Sequence, residues 1–189
     1  MSPLILRLEI NGQPLRWIPW QEAIVLHTRD RIAWCAGEQS FTFWGGRSRE
    51  TGERSCVNIN SIIAVRGSAR GHMHAGTPPL SNRELFLRDG HICMYCGQQF
   101  FEYELTRDHI VPLSKGGRDS WNNVATACRP CNHKKGARTP EEADMPLVAV
   151  PYAPNRAEYL ALSNRRILAD QMEFLSKRFK RKERIVEGR

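Results

Sequence analysis

The chain has 189 residues, of which 41% are hydrophobic and 25% are charged. This balance is typical of a folded globular protein rather than a disordered one. No segment approaches the roughly 18 to 20 apolar residues that a membrane-spanning helix needs, and the first residues lack the basic segment and apolar core of a secretory signal. The sequence therefore predicts no membrane-spanning helix, and we expect a cytoplasmic protein.

The net charge of +8 and the pI of about 9.5 favour an anionic partner such as nucleic acid. The charge is distributed unevenly. Residues 1–76 carry 9 basic and 6 acidic residues, residues 77–150 carry 9 of each, and residues 151–189 carry 10 basic and 5 acidic residues. We therefore expect the two flanks, rather than the middle, to supply most of the electrostatic attraction to a nucleic acid.

The first 70 residues have the patterns of short strands. Residues 4–10 alternate apolar and polar side chains before an Asn11-Gly12 turn. Further strand-like segments follow at residues 31–34, 40–44 and 56–65. These patterns predict a β-rich region over residues 1–70, followed by a linker over residues 71–80, where glycines, histidines and prolines cluster.

The last part of the chain predicts one long helix. Apolar residues recur at spacings of three, four or eight between residues 157 and 182, which gives one apolar stripe. We predict that basic residues on its other faces contact nucleic acid. These are Arg165, Arg166, Lys177, Arg178, Lys180 and Arg181. The alternative is a helix that packs on the core and carries a solvated basic face, and both interpretations can hold at once.

Two C-x-x-C pairs predict a structural zinc site. Cys93 and Cys96 form the first pair, and Cys128 and Cys131 form the second. Two intervening residues let a tight turn aim both thiolates at one ion about 2.3 Å away, and Gly97 suits the left-handed residue that such a turn often needs. The alternative is a redox motif. Such a motif would consist of a single C-x-x-C pair beside a thioredoxin-like sheet, and the sequence indicates neither.

The 31 residues between the two pairs exceed the roughly 15 to 20 of a zinc ribbon, so a further segment is inserted there. The two remaining cysteines, Cys35 and Cys56, stand among strand-like residues. We expect them to be small core residues rather than metal ligands.

The inserted segment and its flank carry the residue types of a phosphodiester-cleaving site. His109 is the candidate base, because an imidazole titrates near neutral pH. Asp108 and Asn132 offer oxygen ligands for an ion such as Mg²⁺, and Asn123 can hydrogen-bond the loop that carries His109. Neighbouring residues on a regular strand face opposite sides, so Asp108 and His109 can share a site only where the strand ends or bulges.

The run from Arg88 to Glu142 resembles the HNH endonucleases of the His-Me finger, or ββα-metal, superfamily. It carries C-x-x-C, D-H-I-x-P with a glycine pair, N-V and C-x-x-C-N-x-x-K-G in that order. The resemblance covers about 55 of the 189 residues. It extends to no assigned role for the flanking regions.

This resemblance implies a role for each matching position. His109 is the general base, Asn123 orients the histidine loop, and Asp108 and Asn132 bind Mg²⁺, Mn²⁺ or a similar divalent cation. His133 is the alternative to Asn132, because it follows directly.

Basic residues at the end of the motif are predicted to lie on the phosphate side of the site. They are Lys134, Lys135 and Arg138. The alternative for the two lysines is solvated helix charge.

Together these observations predict an α+β fold. Its parts are the β-rich region, a zinc-stapled ββα-metal core over residues 81–145, and a long basic helix in an extension over residues 146–189. The predicted function is a metal-dependent HNH endonuclease of bacterial or phage type that hydrolyses DNA. A non-catalytic, zinc-stapled nucleic-acid-binding module is the alternative. The sequence does not determine whether two copies associate.

Overall fold

The computed structural model describes residues 4–67 and 77–180. The chain divides into two compact units, the first made of Met1–Gly76 and Asn164–Arg178 and the second of Thr77–Ser163 and Phe179–Arg189. Most of the predicted linker and the basic residue Arg181 lie outside the described residues. The predicted domain boundaries stay a prediction. Within the two described ranges, no helix is both long and apolar enough to span a membrane.

The first unit contains a four-stranded sheet and two helices. Its elements are β1 (Ile5–Glu9), β2 (Pro14–Ile18), α1 (Trp20–Thr28), β3 (Ile32–Arg47), β4 (Arg54–Val65) and, near the end of the chain, α6 (Ala169–Ser176). The strand order is β2-β1-β4-β3. β1 runs antiparallel to β2 and parallel to β4, which is antiparallel to β3. The predicted turn at Asn11-Gly12 is confirmed, because Gly12 takes a φ of 84° between β1 and β2.

The core of the first unit lies between the sheet and α1. Ile5, Ile18, Ile59 and Ile63 are at most 2% exposed and pack with Ala23 of α1. Burying each branched side chain contributes on the order of 1.5–3 kcal/mol to the free energy of unfolding. α6 is attached by polar contacts, because the buried side chain of Gln171 donates to the carbonyls of Leu4 and Ser61 at 2.9 Å.

The expectation that Cys35 and Cys56 are core residues was wrong, since both are exposed. β3 is one of the two edge strands of the sheet, and Cys35 lies on it. Cys56 lies in the part of β4 that pairs with β3 alone, beyond the residues that pair with β1. Within residues 4–67 and 77–180, no further layer of structure covers these two side chains, which explains the exposure.

The second unit contains a two-stranded antiparallel sheet surrounded by short helices. Its elements are α2 (Asn82–Arg88), β5 (Leu105–His109), β6 (Val124–Cys128), α3 (Arg129–Lys135), α4 (Pro140–Ala143) and α5 (Arg156–Ser163), with 3₁₀ turns at Glu102–Glu104 and Leu113–Lys115. β5 pairs with β6, and α3 follows β6 directly. This is the predicted ββα order, so the α+β fold class with a zinc-stapled core is confirmed.

The prediction of one long C-terminal helix needs correction, because α5 and α6 are separate helices that belong to different units. α5 ends at Ser163, and the side chain of the next residue, Asn164, accepts the N–H of Arg166 at 3.0 Å. Leu168 is extended, and its N–H donates to the side chain of Gln171 at 3.1 Å. These local hydrogen bonds compete with helical ones, which a search for apolar periodicity does not detect.

A buried arginine connects the parts of the second unit. The Arg88 side chain is fully buried and pairs with Asp89 at 2.9 Å. Its Nη atoms donate to three backbone carbonyls at 2.7–2.9 Å. These carbonyls belong to Trp121, Val124 and Tyr152. Asp89 in turn accepts the N–H of Thr126 at 2.9 Å, so this ion pair joins α2, β6 and the segment before α5.

We predict that Arg88→Met lowers the free energy of unfolding of the second unit by about 3–5 kcal/mol, because it leaves a buried carboxylate and three carbonyls without their donor. Urea denaturation measures the change. Arg118→Met is the control, since Arg118 is exposed and such surface changes stay within about 0.5 kcal/mol. Equal stability of the two variants would contradict the role assigned to Arg88.

Candidate active site and zinc site

The four paired cysteines form one cluster. The sulfur atoms of Cys93, Cys96, Cys128 and Cys131 all lie within 4.8 Å of one another. Tetrahedral coordination with bonds of about 2.3 Å separates sulfur atoms by about 3.8 Å. The cluster therefore fits a zinc ion held by four thiolates, and with no ligand position left for a substrate such a site is structural.

The turn after Cys93 is shaped for metal binding. Gly97 has the expected left-handed φ, 71°, and its N–H donates to the Cys93 carbonyl at 2.9 Å. Burial raises the pKa of Cys93, but hydrogen bonds from the backbone of Cys128, Cys96 and Tyr95 outweigh it and lower the pKa. Burial, together with the neighbouring sulfur atoms, raises the pKa of Cys131. A cation among the sulfurs would relieve this repulsion and keep all four as thiolates.

The turn that carries Cys93 and Cys96 is attached to the rest of the second unit through Met94. Its N–H donates to the Thr126 carbonyl in β6, and its own carbonyl accepts the N–H of Val148, both at 2.8 Å. A zinc ion held by the two cysteine pairs would in addition connect the segment before β5 with the start of α3.

His109 lies at the end of β5, with its side chain 23% exposed. Two residues earlier, Arg107 lies on the same face of the strand. Both side chains bind Asp119. The Nε2 atom of His109 lies 2.9 Å from Oδ1 of Asp119, and Nη1 of Arg107 lies 2.9 and 2.8 Å from the two carboxylate oxygens. His109 is thus held in place while a part of its ring remains accessible.

The carboxylate of Asp119 is half-exposed. Partial burial raises its pKa, but the hydrogen bonds and charges of Arg107 and His109 outweigh this effect and lower the pKa. Asp119 is therefore ionised at neutral pH. Asp119 and Arg107 were not among the site residues predicted from the sequence. The two-residue spacing of Arg107 and His109 was the available signal, because it places a cation beside the imidazole.

Asn123 connects the two ends of the loop that follows β5. Its Oδ1 accepts the N–H of Val111 at 3.0 Å, and its Nδ2 donates to the carbonyls of Val111 and Arg118 at 3.0 and 2.9 Å. Its backbone carbonyl accepts the N–H of Ile110 at 2.9 Å. The side chain of Asn123 thus holds together the two ends of the loop that follows His109.

The backbone geometry requires glycine at Gly116 and Gly117, the glycine pair that follows the D-H-I-x-P motif. Gly116 is left-handed with a φ of 83°. At Gly117, a Cβ atom would lie 1.8 Å from the Val111 carbonyl oxygen and 2.9 Å from Nδ2 of Asn123. Only glycine lets the loop close against Asn123 in this way.

Asp108 faces the opposite side of β5, towards α3. Its carboxylate is 5% exposed and accepts hydrogen bonds from the Tyr95 hydroxyl and, at 3.0 Å, from Nζ of Lys135. The same ammonium donates to the His109 carbonyl at 2.7 Å. Burial and the contact with Asp108 raise the pKa of Tyr95, so its hydroxyl stays a donor. The structure therefore separates Asp108 from the imidazole of His109, as strand geometry requires.

Asn132 lies on the α3 side as well. Its Nδ2 donates to Oγ1 of Thr106 at 2.8 Å, and within the described residues its Oδ1 has no donor. A pocket of about 420 Å³ is lined by Thr106, Arg129, Asn132, His133 and Gly136. Thr106 and Asp108 are two residues apart on β5 and share the face that packs on α3.

The carboxylate of Asp108 and the amide oxygen of Asn132 are the kinds of ligand that a hard divalent cation prefers. Asp108 accepts two hydrogen bonds, whereas an ionised carboxylate offers about four lone-pair sites. It therefore keeps acceptor capacity beside the ammonium of Lys135. His133 is exposed on α3 and lines the same pocket as Asn132.

The predicted nucleic-acid contacts differ in exposure. Lys135 needs correction, because its ammonium is fully buried against Asp108 rather than facing a phosphate. It lies on the side of α3 that packs against β5. The exposed members of the set are Lys134, Arg138, Arg165, Arg166, Lys177 and Lys180.

Some of these cations have intramolecular contacts. Arg138 donates to the carbonyls of Lys134 and Lys135 at the end of α3. Lys177 pairs with Glu173 at 2.7 Å, and Arg178 packs over the ring of Phe174. Arg165, Arg166, Lys177 and Arg178 belong to the first unit.

We predict that Cys131→Ala abolishes zinc binding, because three thiolates cannot complete the closed tetrahedral site. Wild type is expected to hold one zinc ion per chain, measured by elemental analysis after dialysis. Cys56→Ala is the matched control, because Cys56 is a free cysteine outside the cluster. Stoichiometric zinc in Cys131→Ala would rule out the assigned site.

We predict that Gly117→Ala lowers the free energy of unfolding of the second unit by about 1–3 kcal/mol, because the added methyl group forces the loop away from Asn123. Urea denaturation measures it. Gly46→Ala is the control, since a Cβ at Gly46 meets no atom within 4 Å. If both variants are equally stable, the loop does not close as described.

Comparison with known proteins agrees with this geometry. Residues 93–148 match the family described as HNH endonuclease. No curated protein matches the chain. The matched segment contains all four clustered cysteines and the complete ββα unit. The resemblance to HNH endonucleases predicted from the sequence is therefore confirmed for the segment that carries the zinc site.

Proposed function

We propose that the protein is a divalent-cation-dependent endonuclease that hydrolyses DNA phosphodiester bonds, with His109 as the general base. The observation that carries the proposal is the placement of His109 inside the segment matching the HNH endonucleases. Its partly exposed imidazole stands at the end of β5, held by Asp119 and by the loop that Asn123 closes. A base of this kind needs a fixed position and access to water, and His109 has both.

The proposed reaction is the hydrolysis of one P–O bond. His109 takes a proton from a water molecule, the water oxygen forms a bond to phosphorus, and the bond to the leaving oxygen of the sugar breaks. The leaving oxygen takes a proton from solvent water, and His109 returns its own proton to solvent, so the products are a phosphate monoester and a free sugar hydroxyl. General-base assistance of this kind contributes typically 10²- to 10⁴-fold to the rate.

Asp108 and Asn132 are the proposed ligands of the catalytic cation, with His133 as the alternative to Asn132. Mg²⁺ or Mn²⁺ bound there supplies positive charge for the phosphate and the leaving oxygen. The support is chemical. Asp108 and Thr106 face α3 from β5, and the free Oδ1 of Asn132 belongs to that helix.

Nucleic acid is the substrate class that the HNH match implies, and we propose DNA. The net charge of +8 supports binding to a polyanion. Exposed cations outside the HNH segment, including Arg165, Arg166 and Lys180, are the proposed phosphate contacts. Because α5 and α6 contribute buried residues to their own units, point substitutions test these contacts better than truncation.

One observation favours the alternative, a zinc-stapled binding module without catalysis. The Asp108 carboxylate already pairs with a buried ammonium, which compensates its charge without a divalent cation. A module of this kind would bind nucleic acid and leave it intact. Binding and cleavage must therefore be measured separately.

We predict that zinc-loaded wild type nicks or linearises supercoiled plasmid in Mg²⁺ or Mn²⁺ and not in chelator. His109→Ala should lower the rate at least about 100-fold, because the water loses its base. Gel electrophoresis of the plasmid measures the rate. His27→Ala is the control, since His27 lies on α1 in the first unit and its loss should leave cleavage unchanged.

Equal cleavage by wild type and His109→Ala would exclude His109 as the base. If no protein cleaves under any of these conditions but all bind plasmid in a mobility-shift assay, the binding module is the better interpretation.

A further inference from the structure

Two side chains, those of Arg107 and His109, contact the carboxylate of Asp119. Arg107 donates to both of its oxygens, and His109 lies 2.9 Å from the oxygen that Arg107 also contacts. An ionised carboxylate only accepts hydrogen bonds. The Nε2 atom of His109 must therefore carry the proton in this contact, whichever charge state the ring has.

In the neutral imidazole one nitrogen is protonated and the other is not. With the proton on Nε2, the unshared electron pair lies on Nδ1. A ring held in this tautomer presents a defined atom to water. The partner of one histidine nitrogen decides the role of the other.

We propose that Asp119 is a positioning residue that holds His109 in the Nε2–H tautomer and leaves Nδ1 as the atom that accepts the proton from water. This inference rests on the proposed function for its catalytic consequence. The tautomer itself is a property of the protein without DNA.

The position of Asp119 is itself fixed from two sides. Arg107 holds the carboxylate from the strand, at 2.8 and 2.9 Å. Asn123 holds the loop, because its Nδ2 donates to the carbonyl of Arg118, the residue before Asp119. Asn123 thus acts on His109 both through Val111, near the end of the strand, and through Asp119.

The contact with Arg107 also argues against Asp119 as a ligand of the cation. A guanidinium in contact with both carboxylate oxygens repels a divalent cation. The oxygens that face α3, where the cation is proposed, belong to the other side of β5. Asp119 therefore acts on the base and not on the metal.

The kinetic test uses Asp119→Asn, which keeps the size of the side chain and removes its charge. We expect kcat for plasmid cleavage to fall about 10- to 100-fold, as is typical for residues that orient a catalytic group, with KM nearly unchanged. Asp119→Glu should recover part of the loss. Glu142→Gln is the control, because Glu142 bonds the same loop through Lys115 without contact to His109.

The spectroscopic test uses ¹⁵N-histidine NMR of the zinc-loaded protein at pH about 8, where a free imidazole is neutral. The signals of His109 are those missing in His109→Gln. Wild type is expected to show a protonated Nε2, an unprotonated Nδ1, and a slowly exchanging Nε2 proton. In Asp119→Asn this proton should exchange faster with water, whereas Glu142→Gln should match wild type.

A proton on Nδ1 in wild type, or equal protection of the Nε2 proton in Asp119→Asn, would overturn the inference. So would an unchanged kcat in Asp119→Asn. Failure of the proposed function gives a different result, because the NMR pattern would stand while no protein cleaves DNA.

Discussion

Neighbouring side chains of a β-strand point to opposite faces, and this constraint organises the chemistry of the second unit. His109 faces Arg107 and Asp119 on one side of β5, while Asp108 faces Lys135 on the other. A base and a cation site built on consecutive residues can therefore act on one phosphate only around the end of the strand. The loop after His109 begins at that point, and Asn123 closes it.

So small a sheet does not hold such an arrangement alone, because two strands are at best marginally stable in water. The four cysteines connect the segment before β5 with the start of α3. From the other side, Arg88 and Asp89 join α2 to β6 and to the backbone around Trp121. The cysteine cluster and the buried ion pair thus add to the small hydrophobic core of the second unit, which includes Leu85, Trp121 and Val124.

The sequence predicted features that depend on short spacings. The C-x-x-C spacing predicted the sulfur cluster. The roles expected for the Gly116-Gly117 pair and for Asn123 came from the resemblance to the HNH endonucleases and from the hydrogen-bonding capacity of the amide. Features that depend on docking were not predictable. Lys134 and Lys135 are neighbouring lysines that the sequence does not distinguish. The orientation of α3 against β5 exposes Lys134 and buries Lys135. Likewise, the position of Asp119 follows from the course of a loop, and the break at Asn164 from hydrogen bonds that apolar periodicity does not show.

The burial of Lys135 has a consequence for the proposed cation site. A buried carboxylate needs a nearby positive charge, and Lys135 supplies it to Asp108 at 3.0 Å. A divalent cation on the remaining lone pairs of Asp108 would stand close to this ammonium, and their repulsion would weaken its binding. A phosphate bound at the same time would offset that repulsion, because its negative charge attracts both cations. The pairing of Lys135 with Asp108 therefore favours cation binding together with the nucleic acid over cation binding alone.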